Sequence, residues 1–233
     1  MNKKKFNTIL LLTAAMFYSS ITFAGLSWEY LNPVPVPHNL NNNWIFENDE
    51  MIFTGEAGLI LYKQGSEWTI MDSGTTNELH EIWAASKDEI FIVGEHGTIL
   101  TGNQFGWQSM VSGTSKNLYA VWGTSAADVY AAGYGGLILH WNGSNWSQFE
   151  SPVETYISDI WGTGAEDFYI LVNDSGSKVY HWDGVEWSML PSPSGGIVVG
   201  LKTISSDKLY GVGYFQEYEP FSGFIDYGFI TCW

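Results

Sequence analysis

Carboxylates and aromatic rings recur in short Gly-rich stretches of the chain, and these are the residue types best suited to hold a ligand. Aromatic rings stack on the apolar faces of sugars, and carboxylates accept hydrogen bonds from hydroxyl groups. The sequence therefore predicts a carbohydrate or protein ligand bound by these loops. The predicted ligand-binding residues are Glu56, His96, Tyr134, Asp174, Tyr214, Glu217, Tyr218 and Glu219.

The same carboxylates allow a second interpretation, in which the chain is a glycoside hydrolase or lyase. That chemistry needs two carboxyl groups about 5–10 Å apart. The candidates are Glu56, Asp174, Glu217 and Glu219. A third interpretation is that the stretches are ordinary Gly turns, with residues 214–223 forming an insertion that plugs a channel.

A second candidate surface consists of Lys63, Trp141 and Trp182, which occupy equivalent places in the repeat described below. Exposed tryptophans mark binding surfaces. The alternative is that these side chains are wedged between structural units and only stabilise the fold.

Other reactive residue types lack the spacing that their chemistry needs. The histidines form no H-x-x-x-H or H-E-x-x-H pair for zinc, and no D-x-D-x-D-G loop is present for calcium. No G-x-S-x-G elbow supports a serine nucleophile, and Cys232 is the only cysteine, so no internal disulfide can form. We therefore expect neither a metal site nor another cofactor, and we regard a non-enzymatic protein as the better interpretation.

The charge of the chain restricts its partners. The formal net charge is −16 and no arginine is present. Nucleic acid binding relies on Lys and Arg, so nucleic acid is not an expected partner. No segment after residue 24 is apolar enough to span a membrane. We expect a monomer whose ligand is a glycan or a protein.

These residues are positioned by an internal repeat. Three series keep in step over five periods, and most intervals are 39 residues. Such a repeat indicates a tandem architecture. An Asp that recurs at a turn is expected to cap it by accepting hydrogen bonds from backbone N–H groups. The series are Trp44, Trp83, Trp122 and Trp161 with Leu201 in the next place; Trp68, Trp107, Trp146 and Trp187; and Asp49, Asp88, Asp128, Asp167 and Asp207.

Each period contains four short apolar runs separated by turn residues, which is typical of antiparallel strands. Asn142-Gly143 and Asp183-Gly184 predict tight hairpins with positive φ at both turn residues. Tandem four-stranded units predict an all-β, five-bladed β-propeller. Its repeats are 40–78, 79–117, 118–156, 157–196 and 197–233. Residues 26–32 are predicted to supply the missing fourth strand of the last blade and close the ring; alternatively, the chain is a piece of a larger ring.

Residues 1–24 have the pattern of a secretory signal peptide. Three lysines precede an apolar run over 9–18, and a small residue, Ala24, ends the segment. The mature protein is expected to begin near Gly25 and to be secreted or periplasmic.

The stretches "GEHGTILTGNQFGW" and "GYGGLILHWNGSNW" resemble the bacterial neuraminidase-type (Asp-box) repeat. The longer pattern is similar to that of secreted bacterial propellers and of the photosystem II assembly factor-like family. This resemblance implies a propeller, with a role in assembly or as a scaffold as a further alternative. Only Asp183 supplies the acid of the Asp-box, while Asn142 and Gln64 stand in its other places. A sialidase grips its substrate with arginines, and the absence of Arg excludes that activity.

Overall fold

The computed structural model describes residues 22–23, 26–27, 36, 38–47, 49–174, 176–191, 196–205, 208–219 and 223–232. Within these ranges the regular structure consists of strands and three short 3-10 turns. Two short strands, β1 (Thr22–Phe23) and β2 (Leu26–Ser27), pair with each other. The remaining strands form five antiparallel sheets.

The strands of each sheet follow one another in chain order. Sheet 1 contains β3 (Leu40–Ile45), β4 (Glu50–Gly55), β5 (Ile60–Gln64) and β6 (Glu67–Met71). Sheet 2 contains β7 (Leu79–Ser86), β8 (Glu89–Gly94), β9 (Ile99–Asn103) and β10 (Gly106–Ser109). Sheet 3 contains β11 (Leu118–Ser125), β12 (Asp128–Gly133), β13 (Ile138–Trp141) and β14 (Trp146–Phe149).

Sheet 4 contains β15 (Ile157–Gly164), β16 (Asp167–Asn173), β17 (Ser177–Trp182) and β18 (Trp187–Met189). Sheet 5 has three strands, β19 (Ile197–Ser205), β20 (Lys208–Glu219) and β21 (Gly223–Cys232). The first strand of each sheet contacts the first strand of the next, so β3, β7, β11, β15 and β19 succeed one another around a common inner side. The predicted all-β fold of four-stranded units is confirmed.

Closure of the ring by residues 26–32 stays a prediction. Leu26–Ser27 pairs with Thr22–Phe23, and residues 28–32 lie outside the described residues. The signal-peptide segment also lies largely outside them.

The core lies between neighbouring sheets. The second strand of sheets 2 to 4 is buried along almost its whole length, because it is covered on both faces. Trp83 and Trp122 are buried in this core. Leu201 does not continue their series. Lys202 pairs with Tyr210 as Trp161 pairs with Tyr169, so Lys202 holds that place.

In sheets 1 and 2 the acid at the equivalent strand position is not the Asp of the predicted series. Strand register aligns Glu50 and Glu89, rather than Asp49 and Asp88, with Asp128 and Asp167. The Asp128 carboxylate accepts a hydrogen bond from Thr124 and lies 2.7 Å from His140 Nε2. Asp167 repeats both contacts with Thr163 and His181. These carboxylates therefore tie the first hairpin of a sheet to its third strand through side chains, and the expected capping of backbone N–H groups is not their main role.

The hairpins after β13 and β17 are longer than predicted. Four residues separate the paired Trp141 and Trp146, and positive φ occurs at Gly143 but not at Asn142. The Asn142 side chain instead accepts hydrogen bonds from the N–H groups of Ser144 and Asn145. An Asx turn therefore replaces the predicted two-residue turn.

One face of sheet 5 departs from the pattern of the other sheets. We call it the forward face, defined by Val212 and Ile230, since in sheets 1 to 4 the equivalent residues pack on the following sheet. Val212 is 48 % exposed and Ile230 is 75 % exposed, whereas every equivalent residue is 1 % exposed or less. No described residue covers this face. The equivalents are Thr54, Val93, Ala132 and Leu171 for Val212, and Ile60, Ile99, Ile138 and Val179 for Ile230.

The turn after the second strand requires glycine. Gly97 has a φ of 71°, and a Cβ atom there would lie 2.2 Å from the carbonyl oxygen of Thr114. Gly97→Ala is expected to lower the free energy of unfolding by about 1–3 kcal/mol, because strain and a backbone clash add. Gly113 has a φ of 74° with open space around it, so Gly113→Ala isolates the strain from the clash. Urea unfolding of both variants measures the difference; equal losses would contradict the clash.

Candidate ligand-binding face

The turns that follow the second strands and the connections between sheets lie at one end of the molecule, which we call the loop face. Strand register places them together, since Leu79 at the start of β7 pairs with Gly94 at the end of β8, and sheets 1 and 3 repeat this pairing. The loop face therefore comprises the turns 56–58, 95–97 and 134–136 and the connections 72–78, 110–117 and 150–156.

Three predicted ligand-binding residues lie in these turns. One is hydrogen-bonded within the protein, and two are exposed. The Glu56 carboxylate accepts hydrogen bonds from the Asn39 side chain at 2.8 Å and the Asn39 backbone N–H at 3.3 Å. These bonds lower the pKa of Glu56 and fasten the turn to the start of sheet 1. The side chain of His96 is 69 % exposed and Tyr134 is 60 % exposed, so both are open to a partner.

The structure places Asp174 and residues 214–219 differently from the predicted ligand-binding loops. Both Asp174 carboxylate oxygens lie 3.0 Å from Lys178 Nζ, so this acid belongs to an ion pair. Residues 214–219 are not a loop, because β20 continues to Glu219 and pairs Glu217 with Ile225. Tyr214, Phe215 and Tyr218 are aromatic residues, a type that is enriched in strands. The side chains of Glu217, Tyr218 and Glu219 lie outside the described residues, while Tyr214 is partly buried.

The second predicted surface is not a continuous exposed patch. Lys63 is buried, with its ammonium group 5.9 Å from the centre of the Trp68 ring. Trp141 and Trp182 are partly buried, and Trp141 Nε1 donates a hydrogen bond to the carbonyl oxygen of Ala126. A lysine stem and indole rings at this position cover neighbouring apolar surface, which is the alternative that the sequence left open.

Two carboxylates that sequence reasoning missed lie on the inner side of the sheets. Glu81 and Asp159 occupy equivalent bulged positions on β7 and β15. Glu81 accepts hydrogen bonds from the Asn42 side chain at 3.1 Å and from the Val121 backbone. Asp159 accepts from the backbone N–H groups of Leu201 at 2.7 Å and Ile160 at 2.8 Å. Each carboxylate thus bridges its own sheet to the next.

The surroundings of this pair favour the protonated forms. Burial raises the pKa of Asp159 to about 7, against the lowering effect of its backbone hydrogen bonds. Burial and the nearby charge of Asp159 raise the pKa of Glu81 well above its usual range. Both side chains nevertheless keep some accessible surface. They therefore line an inner cleft, which we define by Glu81, Tyr119, Tyr156, Asp159 and Lys202.

Aromatic rings form a row along the mouth of the inner cleft. The ring of Tyr119 lies 5.0 Å from that of His80 on one side and 4.6 Å from that of Tyr156 on the other. On the neighbouring sheet, Lys202 Nζ lies 3.4 Å from the centre of the Trp161 ring. Its pKa is lowered by burial. No described carboxylate comes within ion-pair distance of Lys202.

Carboxyl groups outnumber lysines on the loop face and in the cleft. Carboxylates of Glu56, Glu78, Glu95, Glu154 and Asp174 lie on the face, with Glu81 and Asp159 in the cleft, while Lys116 and Lys178 are the described cations of the face. In the described ranges no group of three or more His, Cys, Asp or Glu residues is arranged to hold a metal ion. None of the described helical turns is long and apolar enough to cross a membrane.

Antiparallel four-stranded sheets in series around an inner cleft define the class of β-propeller proteins. Among solved structures, "YCF48 bound to D1 peptide" is similar, with a TM-score of 0.61 and 15 % identity over 84 % of this chain and 70 % of that chain. YCF48 from Cyanidioschyzon merolae has a TM-score of 0.60 and 11 % identity over 84 % of this chain and 73 % of that one. No family model and no curated protein matches the sequence. The resemblance to assembly factor-like propellers is therefore confirmed for the fold alone.

Proposed function

We propose that this chain is an exported, non-enzymatic recognition module that binds a protein partner on the loop face through a positively charged segment of that partner. The observation that carries the proposal is the combination of an acidic rim on the loop face with a row of aromatic rings at the inner cleft. Lysine and arginine side chains are attracted by carboxylates and stack on aromatic rings. The likeness to a propeller whose structure contains a bound peptide supports a peptide ligand.

The proposal is tested with a short labelled peptide rich in Lys and Arg and a copy with Gln at those positions. We expect the cationic peptide to bind more tightly, with affinity falling as salt rises, because salt screens exposed charges. Glu95→Gln with Glu154→Gln is expected to weaken binding about threefold to tenfold. Fluorescence anisotropy measures each affinity.

The matched control is Glu166→Gln, which removes one exposed carboxylate from the hairpin end of sheet 4, away from the loop face. It is expected to leave the affinity for the cationic peptide unchanged. Equal binding of the two peptides, or an effect of Glu166→Gln as large as that of the loop-face variant, would sink the proposal. A glycan that binds the loop face in place of the peptide would favour the carbohydrate alternative.

A hydrolase or lyase remains the second candidate, and one observation favours it. Asn39 and Lys178 already engage two of the predicted catalytic acids, Glu56 and Asp174, but Glu81 and Asp159 share an environment that shifts their pKa values, as catalytic carboxylates often do. Turnover of any oligosaccharide, abolished by Glu81→Gln, would establish this alternative. A recognition module shows no turnover in the unmodified protein.

A further inference from the structure

Sheet 2 breaks the repeat at its outer, hairpin end. The third strands of sheets 1, 3 and 4 carry a large pair at matching register, Tyr62-Lys63, His140-Trp141 and His181-Trp182. Sheet 2 has Thr101-Gly102 there. Sheet 2 therefore lacks the large side chains that the other sheets carry at this position of the third strand.

The tip of the hairpin that follows β9 carries a larger side chain than the equivalent tips of the other sheets. Phe105 stands where the other sheets have Ser66, Ser144 and Val185, and it is 83 % exposed. A bulky exposed ring thus lies beside the corner from which bulk is missing. Two departures from a strict repeat at one place indicate a site, because function is expected where repeats differ while the fold is kept.

Together these changes open a groove of about 670 Å³ between sheets 2 and 3. The residues that line it include the aromatic Phe105, Trp107 and Trp141 and the polar Asp88, Glu89 and Gln108. The volume lies within the range of about 300–1,000 Å³ that is usual for small-molecule sites. In the described part of the chain, the carboxylates of Asp88 and Glu89 make no hydrogen bond or ion pair.

We propose that this groove binds a neutral or amino-sugar oligosaccharide. The rings suit the apolar face of a pyranose, the carboxylates accept hydrogen bonds from hydroxyls, and the Gln108 amide both donates and accepts. Two unpaired carboxylates disfavour an anionic ligand. The groove lies at the hairpin end of the sheets, so this site is separate from the loop face and does not depend on the peptide ligand proposed there.

The test is isothermal titration of the whole protein with three trisaccharides: the neutral maltotriose and cellotriose, and the amino-sugar chitotriose. We expect at least one to bind, and Phe105→Ser to weaken that binding about tenfold, as the loss of one stacked ring requires. Val185→Ser removes an equally exposed apolar side chain, 83 % exposed, from the equivalent turn of sheet 4 and is expected to change nothing.

Both side chains lie outside the core, so urea unfolding is expected to show the same stability for the two variants. The proposal is overturned if none of the three sugars binds at millimolar concentration, or if Phe105→Ser binds as well as the unmodified protein. Peptide binding at the loop face should be unaffected by Phe105→Ser. Failure of the oligosaccharide proposal can therefore be distinguished from failure of the peptide proposal.

Discussion

Replacing Phe168 with alanine is expected to lower the free energy of unfolding by about 3–5 kcal/mol, the largest effect of any substitution considered for this protein. Phe168 is fully buried at the junction of sheets 3 and 4. Its ring lies 4.8 Å from that of Tyr130 and 5.3 Å from that of Trp187, with Trp122 and Phe149 at 5.9 Å each. Removing it leaves a cavity and deprives four rings of a partner.

Urea unfolding followed by tryptophan fluorescence measures this effect. Phe168→Leu retains much of the volume and is expected to cost clearly less than Phe168→Ala. Phe105→Ala removes the same ring from an exposed turn and is expected to stay within about 0.5 kcal/mol of the unmodified protein. A loss below about 1 kcal/mol for Phe168→Ala would contradict the packing of sheets 3 and 4 described above.

The second large effect on stability is expected when the carboxylates of the inner cleft are replaced by amides. At pH 8 the double variant Glu81→Gln/Asp159→Asn is expected to be about 2–4 kcal/mol more stable than the unmodified protein. At pH 8 both acids are ionised in the unfolded chain, whereas the folded protein disfavours their charged forms, so folding of the unmodified protein carries a cost that the variant lacks. The amides keep the shape of the side chains and carry no charge, although Asn at 159 gives up one of its two acceptors.

The direction with pH follows from the raised pKa values. The pKa of Asp159 is about 7 when folded and about 4 when unfolded. Protons therefore bind the folded state more tightly, and the stability that they contribute is fully present below about pH 4 and is lost as pH rises through about 7. We expect the advantage of the double variant to grow over this window and to vanish near pH 4.

Urea unfolding at a series of pH values, with unmodified protein and variant side by side, isolates this contribution from other carboxylates. Glu154→Gln/Glu166→Gln makes the same change in charge at two exposed positions and serves as the control. A gain in stability that is the same at every pH would show that Glu81 and Asp159 do not titrate between those limits.

Repetition made the fold predictable to a large extent. Each period carries its own strands and turns, and an error in one copy is corrected by the others, so sheets 1 to 4 matched expectation. Sheet 5 diverges from that pattern, and there the prediction of a loop was wrong for residues 214–219. Tyr214 and its neighbours form a continuous strand because they have a partner strand, β21, whose pairing could not be seen in the residues themselves.

The candidate site was less predictable because it depends on contacts between repeats. Glu56 and His96 could be placed on one face from the repeat alone. Glu81 and Asp159 sit in apolar runs, "LHEIW" and "ISDIW", where a lone acid was a usable signal. Their proximity and their bridges to the next sheet arise from packing across three sheets, which no local pattern specifies. Alignment by register also shows Asn42, Ala120 and Gly200 at the same position, so the acids are exceptions within their column.

The uncovered forward face of sheet 5 has a consequence for cooperativity. In a protein of stacked repeats, the stability of each unit is the sum of its own energy and its interfaces with neighbours. Sheets 2 to 4 have an interface on each side, while Val212 and Ile230 leave the forward face of sheet 5 largely exposed. Sheet 5 should therefore open before sheets 2 to 4, with amide hydrogens of β19 and β20 exchanging faster than those of β8, β12 and β16. Unfolding would then begin at one end of the series and pass from sheet to sheet.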